Sequence, residues 1–145
     1  MQIAVLAASD APQYRALMLH AYAHAADAFT STPAERAAEP AQWWANRLAG
    51  ATGSTMVFGA LSGQDLVGTV AVEFSARQKT RHKALVVAMF VRETWRGQGL
   101  ARSLLRAAVD HCRRRGDIHV LQLEVTEGNE PAVRLYRSLG FQQFG

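Results

Sequence analysis

Three strand-like runs of residues follow one another in the middle of this chain. They cover residues 55–61, 66–75 and 82–91, and only the short polar stretches 62–65 and 76–81 separate them. Turns this short join neighbouring strands as antiparallel pairs, because a parallel pair needs a much longer crossover. The centre of the chain is therefore predicted to form an antiparallel sheet.

A strand and two helices are predicted before this sheet. Residues 2–8 form the strand, and a capping residue and an early proline within residues 9–12 begin the first helix. After a loop at residues 30–33, a short second helix carries Trp43 and Trp44. We expect one ring of this tryptophan pair to pack inward and the other to stay half exposed.

The last third of the chain alternates helix, strand, helix and strand. Apolar residues recur at the helical period within residues 97–115, and residues 121–125 alternate as a half-buried strand does. Pro131 and Gly140 mark the two ends of a last helix, and residues 141–144 begin another strand. The order β-α-α-β-β-β-α-β-α-β predicts the α/β class, with the whole chain as one domain in which helices flank a mixed, mostly antiparallel sheet.

Composition limits the class of protein but does not identify a function. The chain has 145 residues and a single cysteine, Cys112, which lies on the apolar stripe of its helix, so we expect it in the core and the protein in a reducing compartment. There is no signal-peptide pattern and no apolar run near the ~20 residues of a membrane span, so we expect a cytoplasmic protein with no membrane partner. The net charge of +4 favours an anionic partner of some kind.

The most informative segment is residues 89–102, where a strand leads into a glycine-containing turn that opens a helix. The N-terminus of a helix binds phosphate through unpaired N–H groups and the positive end of the helix dipole. Small residues at Gly97 and Gly99 allow a ligand to approach the backbone, and Arg96 and Arg102 add positive charge. The segment therefore favours a phosphate site, although two glycines can also serve only to make a tight turn.

Two common phosphate-binding motifs do not fit this turn. A dinucleotide fingerprint needs a third small residue where Arg102 stands, and an acidic residue about 20 positions later. A P-loop needs a Gly-Lys-Ser/Thr sequence, which does not follow here.

The turn instead resembles the pyrophosphate loop Q/R-x-x-G-x-G/A of the GNAT superfamily of acetyl-CoA-dependent N-acetyltransferases. The matching residues are Arg96, Gly97, Gln98, Gly99, Leu100 and Ala101. A second block is similar to the family pattern L-x-L-x-V…N-x-x-A…Y-x-x-x-G-F. It comprises Leu121, Leu123, Val125, Asn129, Ala132, Tyr136, Gly140 and Phe141.

The resemblance implies a binding site for acetyl-CoA, used as a co-substrate, and implies no metal. In the family, the strand before the pyrophosphate loop carries a bulge and splays away from the next strand, which opens a cleft for the pantetheine arm. Carried over to this chain, the main chain of Met89, Phe90 and Val91 lines that cleft, and Arg102 joins the pyrophosphate loop. Asn129 caps the last helix and also contacts the cofactor.

The resemblance also implies a catalytic acid and suggests a base. Tyr136 corresponds to the tyrosine that protonates the departing CoA thiolate, although a tyrosine here can also simply fill the core. Glu124 resembles the proposed base of the ribosomal-protein N-terminal acetyltransferase branch. Glu73, which we place on the acceptor side, is a competing candidate, as is a chain of water molecules. Glu93 is expected to be an exposed charge.

The sequence thus predicts transfer of an acetyl group from acetyl-CoA to a primary amine, by direct attack in a ternary complex. The acceptor is a small molecule, a peptide or a protein. A non-catalytic acyl-CoA-binding module of the same fold is the alternative, and nucleic-acid binding, which rests on charge alone, is a weaker one.

His20 and His24 lack a third ligand, so we expect no metal site. Family members commonly continue past the Gly-Phe strand, whereas this sequence stops at Gly145, so that strand is either truncated or completed from elsewhere, for example in a homodimer.

Overall fold

The computed structural model describes residues 1–24, 32–48, 55–75, 77–124 and 130–142. Within these ranges the helices and strands follow the predicted order, except that three helices instead of two precede the central strands and no strand is assigned after the last helix. They are β1 (Gln2–Val5), α1 (Ala11–His24), α2 (Pro33–Ala37), α3 (Ala41–Asn46), β2 (Thr55–Ser62), β3 (Asp65–Phe74), β4 (Lys83–Val91), α4 (Leu100–Arg115), β5 (Val120–Leu123) and α5 (Glu130–Ser138). Short 3-10 turns at Ala8–Asp10 and Glu93–Trp95 precede α1 and α4.

The five strands form one sheet in sequence order, from β1 at one edge to β5 at the other. Strands β1 to β4 pair as antiparallel neighbours, whereas β4 and β5 run parallel because the long helix α4 connects them. The predicted α/β class, with a mixed and mostly antiparallel sheet flanked by helices, is therefore confirmed.

Helices cover both faces of the sheet, and each face has its own apolar cluster. On one face, Leu100, Leu104 and Leu105 of α4 pack against alternate residues of the strands. On the other face, Tyr14 and Leu17 of α1 belong to a cluster with α3 and the remaining strand positions. Because side chains of a strand point to alternate faces, the same strands supply both clusters.

The N-terminal helices differ from expectation in one place. Pro33, which we predicted to end a loop, instead begins α2, because Thr32 accepts a hydrogen bond from the Glu35 N–H and proline suits the first turn of a helix. The tryptophan pair is as predicted: Trp44 is 1% exposed and the Trp43 ring is half buried.

Three smaller findings complete the fold. Cys112 is buried in the cluster below α4, as predicted, and burial raises the pKa of its thiol. No helix in the described part of the chain is long and apolar enough to cross a membrane. The predicted last strand starts at Phe141 and Gln142, which are in no regular element, and its remainder lies outside the described residues.

Candidate active site

Strand β4 contains a bulge in its second half. Thr69 of β3 pairs with Phe90, but Ala71 pairs with Val87, so a single residue of β3 stands opposite both Ala88 and Met89. Ala88 has a φ of 54°, in the left-handed region that an alanine rarely adopts. The bulge that the resemblance implies is thus present, and it turns main-chain groups of Ala88 and Met89 out of the ladder with β3.

On its other side, β4 has a described β5 partner only up to almost the same level. The described pairing between β4 and β5 runs from Lys83 with Val120 to Val86 with Leu123 and goes no further. Beyond Val86, β4 continues through the bulge to Val91 without a described partner on its β5 side. A strand edge whose main-chain groups are not used in a sheet can bind a ligand that lies along it as another strand would.

Helix α4 begins directly beyond this cleft. Its N-cap is Gly99, with a φ of 78°, and no side chain caps the helix. Gly97 also has a positive φ, of 80°, and a Cβ atom at either glycine would meet nothing within 4 Å. Open space in front of an uncapped helix N-terminus fits an anionic group, so these residues are suited to hold the pyrophosphate of acetyl-CoA.

The two arginines of this loop make contacts within the protein. The Arg96 Nε donates a hydrogen bond of 3.1 Å to the Val91 carbonyl, and its guanidinium lies 5.6 Å from the centre of the Phe90 ring. Arg102 donates a bond of 2.7 Å to the Ser138 hydroxyl and so joins α4 to α5. Both residues flank the N-terminus of α4 in the sequence, and both are exposed to solvent.

The remaining loop residues divide between core and surface. Leu100 is buried below α4 and Ala101 is half buried against the same cluster, whereas Gln98 is exposed. Phe90 is buried on the opposite face of the sheet, so only its main chain is available to the cleft.

Glu93 is exposed as predicted, but it has a partner that the sequence did not reveal. Its carboxylate lies 3.0 Å from the His20 Nε2, which joins α1 to the turn before the pyrophosphate loop. This hydrogen bond lowers the pKa of Glu93. His20 also stacks on His24, with ring centres 4.1 Å apart, and contacts the edge of Phe90.

The candidate acid and base lie on the two elements that follow α4. Tyr136, on α5, is half buried against the cluster below α4 and contacts the edge of Phe141; burial raises the pKa of its phenol. Glu124 is exposed and follows Leu123 directly, so it comes level with Val87, immediately before the bulge. Asn129 lies outside the described residues.

Glu73 lies further from the cleft. It is half buried near the end of β3, where it pairs with Leu85 of β4. Leu85 precedes the bulge residue Ala88 by three positions, or roughly 10 Å along a strand. The structure thus places the loop shortly after the bulged part of β4 and places Glu73 away from both, on the face of the sheet that α1 and α3 cover.

A family comparison agrees with this geometry. Residues 16–141 match the model of the Acetyltransferase (GNAT) family. The chain belongs to this family. Among solved structures, a GNAT-type fold is shared with ribosomal-protein-alanine N-acetyltransferase from Brucella melitensis, at a TM-score of 0.79 and 26% identity, covering 100% of this chain and 86% of that one.

Relatives of known name match over shorter stretches. Streptothricin acetyltransferase of Streptomyces lavendulae is 42% identical over 77 residues, which are 53% of this chain and 39% of the relative. N-alpha-acetyltransferase RimI of Mycobacterium tuberculosis is 37% identical over 87 residues, or 60% of this chain and 52% of the relative. The GNAT chain described here therefore spans less than two thirds of the length of either protein.

Sequence reasoning did not identify every residue of this site. Ala88 carries no local signal, because alanine is not a residue that favours positive φ, although the bulge itself is typical of GNAT proteins. The pairing of His20 with Glu93 was also missed, since nothing in the sequence links residues of α1 to a turn so far along the chain.

Proposed function

We propose that this GNAT protein is a single-domain N-acetyltransferase that transfers the acetyl group of acetyl-CoA to a primary amine. The observation that carries the proposal is the succession of three features between Val86 and Gly99: the end of the described β4–β5 pairing at Val86, the bulge at Ala88, and the uncapped N-terminus of α4 at Gly99. We infer a groove along these residues, with main-chain groups of the bulged strand at one part and the N-terminus of α4 at the other.

The loop and the splayed strand bind the two ends of the cofactor. The first N–H groups of α4 have no partner within the helix, so they are free to donate to the pyrophosphate, with Arg96 and Arg102 beside them. Main-chain groups of Met89 and Val91 bind the pantetheine arm. Acetyl-CoA supplies an activated acyl thioester there.

A main-chain N–H at the bulge stabilises the developing charge. Attack by an amine turns the thioester carbonyl oxygen into an oxyanion, and a fixed N–H aimed at that oxygen contributes about 2.7–4 kcal/mol of transition-state stabilisation. Met89 is the residue we assign, because the bulge releases its main chain from the β3 ladder.

Tyr136 is the proposed acid. Burial raises the pKa of its phenol, so the hydroxyl keeps its proton at neutral pH and can give it to the departing thiolate. The transfer is uphill from a phenol to a thiolate in water, but a thiolate that leaves into a dry cleft is also a stronger base.

The amine must lose a proton before it can attack, since an amine with a pKa near 10 is mostly protonated at neutral pH. We assign this role to Glu124, at the level of Val87, either directly or through water. Glu73 binds the acceptor and is the second candidate for the base. The amine then attacks the thioester directly, in a ternary complex of protein, acetyl-CoA and acceptor and without a covalent enzyme intermediate.

Replacing Tyr136 by phenylalanine tests the chemical step. The ring that packs on Phe141 is kept and the acid is lost, so we expect kcat to fall by about 10²-fold or more while the KM for acetyl-CoA stays unchanged. The measurement is release of the CoA thiol in the presence of a broad panel of primary amines, with thermal unfolding to verify that the variant folds.

Unchanged turnover of the Tyr136→Phe variant would remove the tyrosine from its proposed role. If neither form acetylates any amine although both bind acetyl-CoA, the alternative of a non-catalytic acyl-CoA-binding module of this fold is favoured instead.

A further inference from the structure

His20 of α1 holds the carboxylate of the turn that precedes the pyrophosphate loop. Its Nε2 lies 3.2 and 3.0 Å from the two carboxylate oxygens of Glu93, which comes 73 positions later in the chain. The pKa of Glu93 is lowered, so the group is ionised at neutral pH, and an ionised carboxylate only accepts hydrogen bonds. The His20 Nε2 therefore carries the proton and donates, which fixes where the negative charge of Glu93 lies.

The His20 ring is itself held by two other rings. It stacks on His24 with 4.1 Å between ring centres, and it meets the buried Phe90 ring edge-on at 5.9 Å. A side chain that is already packed loses less conformational entropy in a hydrogen bond than a free one does. His20, whose side chain is 29% exposed, is thus suited to fix the more mobile Glu93, which is 46% exposed.

A second cation, Arg96, lies near the same carboxylate. Its guanidinium contacts the Phe90 ring, which His20 also touches, and its main-chain N–H donates a hydrogen bond of 3.3 Å to the Glu93 carbonyl. The hydrogen bond from His20 is the main cause of the lowered pKa of Glu93, and attraction by Arg96 is a smaller one. Among the described residues, the Glu93 carboxylate forms its ion pair with His20 and none with Arg96.

This arrangement keeps Arg96 available to an anionic ligand. Its Nε donates to the Val91 carbonyl, and its two terminal amino groups remain as donors on an exposed guanidinium. A carboxylate beside an anion site competes with the ligand for such a cation and also repels the ligand. Both effects are smaller while the Glu93 carboxylate is bound by His20.

We propose that His20 is a positioning residue for acetyl-CoA: it holds the Glu93 carboxylate on the α1 side of the turn and so keeps Arg96 available to the pyrophosphate. The inference rests on the proposed binding of acetyl-CoA at the N-terminus of α4. It adds to the determinants of cofactor affinity a residue of α1, the helix that packs on the opposite face of the sheet from α4.

The His20→Leu variant removes the donor and keeps an apolar side chain against Phe90. We expect the Kd for acetyl-CoA to rise about three- to fivefold, the size of an exposed ion pair, because the Glu93 carboxylate can then pair with Arg96. The Kd for S-acetylpantetheine, which lacks the pyrophosphate, should not change. Calorimetric titration measures both values, and thermal unfolding verifies that the variant folds.

Two further variants distinguish a held charge from simple packing. Adding Glu93→Gln to His20→Leu should return the Kd for acetyl-CoA to within about twofold of the wild type, because no carboxylate is left to compete for Arg96. His20→Gln, whose amide can donate to Glu93, should likewise stay within about twofold. If His20 only filled space, Glu93→Gln would not restore binding in the double variant.

His24→Leu is the matched control. His24 lies one turn further along α1, is exposed, and bonds through its ring nitrogen to the His20 carbonyl. We expect its removal to leave the Kd for acetyl-CoA within about twofold of the wild type. A His24→Leu variant that binds as weakly as His20→Leu would assign the effect to the stacked rings and overturn the role of Glu93.

The outcomes separate this inference from the proposed function. If the wild type binds acetyl-CoA and His20→Leu has the same Kd, or weakens S-acetylpantetheine equally, or is not restored by Glu93→Gln, the role of His20 is overturned and the acetyl-CoA site stands. A wild-type protein that does not bind acetyl-CoA contradicts the proposed function itself, and the role of His20 falls with it.

Discussion

At the scale of single residues, Ala88 has the least favourable backbone conformation of the site. Its φ of 54° lies in the left-handed region, which costs a residue other than glycine roughly 1–2 kcal/mol. The residue is half buried against the cluster of α1 and α3, so packing on that face offsets the strain. This strained conformation turns the main chain out of the β3–β4 ladder at the point where the thioester is proposed to bind.

Substitutions at Ala88 should separate backbone strain from side-chain size. Ala88→Val places a β-branched residue at positive φ, so we expect the free energy of unfolding in urea to fall by at least about 1 kcal/mol and acetyl-CoA binding to weaken. Ala88→Gly is the matched control and should stay within about 1 kcal/mol of the wild type, because relief of strain offsets the entropy of glycine. A valine variant as stable as the parent would show that the bulge is not constrained as described.

At the scale of elements, helix α4 is bounded by two glycines in the same conformation. Gly99 at its N-cap and Gly116 at its C-cap both have a φ of 78°, and a Cβ atom would meet nothing within 4 Å at either. The local cost of a side chain is therefore the same at both ends. Only the N-terminal glycine lies in the path of the proposed pyrophosphate.

This symmetry gives a controlled test of the phosphate site. We expect Gly99→Ala and Gly116→Ala to lower the free energy of unfolding by a similar amount, about 1 kcal/mol, because both place alanine at positive φ. Only Gly99→Ala should weaken acetyl-CoA binding, by about tenfold or more in Kd measured by calorimetric titration. Equal Kd values for the two variants would argue against the N-terminus of α4 as the binding site.

At the scale of the whole molecule, the sheet separates two apolar clusters, one below α4 and one below α1 and α3. The bulge of β4 turns main-chain groups toward the proposed cofactor groove, while α1 and α3 cover one face of the sheet. The pair of His20 and Glu93 joins these two parts, since it ties α1 to the turn before the pyrophosphate loop.

The parts of this organisation that depend on residues close together in the sequence could be predicted. Short polar turns fix antiparallel pairs, and a helical apolar period followed by a glycine fixes α4, so these elements follow from nearby residues. The role of the loop from Arg96 to Ala101 is instead implied by the resemblance to the family. The Arg36 and Arg47 guanidinium groups both lie on the Trp43 ring. This contact could not be predicted, because it depends on how the two short helices α2 and α3 pack. The side-chain contacts of Arg96 and Arg102 were likewise unpredictable, since long flexible side chains are placed by their neighbours in space.

The central claim is that the groove between β4, β5 and the N-terminus of α4 binds acetyl-CoA. Thermal unfolding at increasing acetyl-CoA concentration measures this directly and needs no knowledge of the acceptor. At 100 times Kd the ligand should stabilise the fold by about 2.7 kcal/mol, which for a domain of this size raises Tm by roughly 5 °C or more. A Tm that does not change up to millimolar acetyl-CoA would contradict the account.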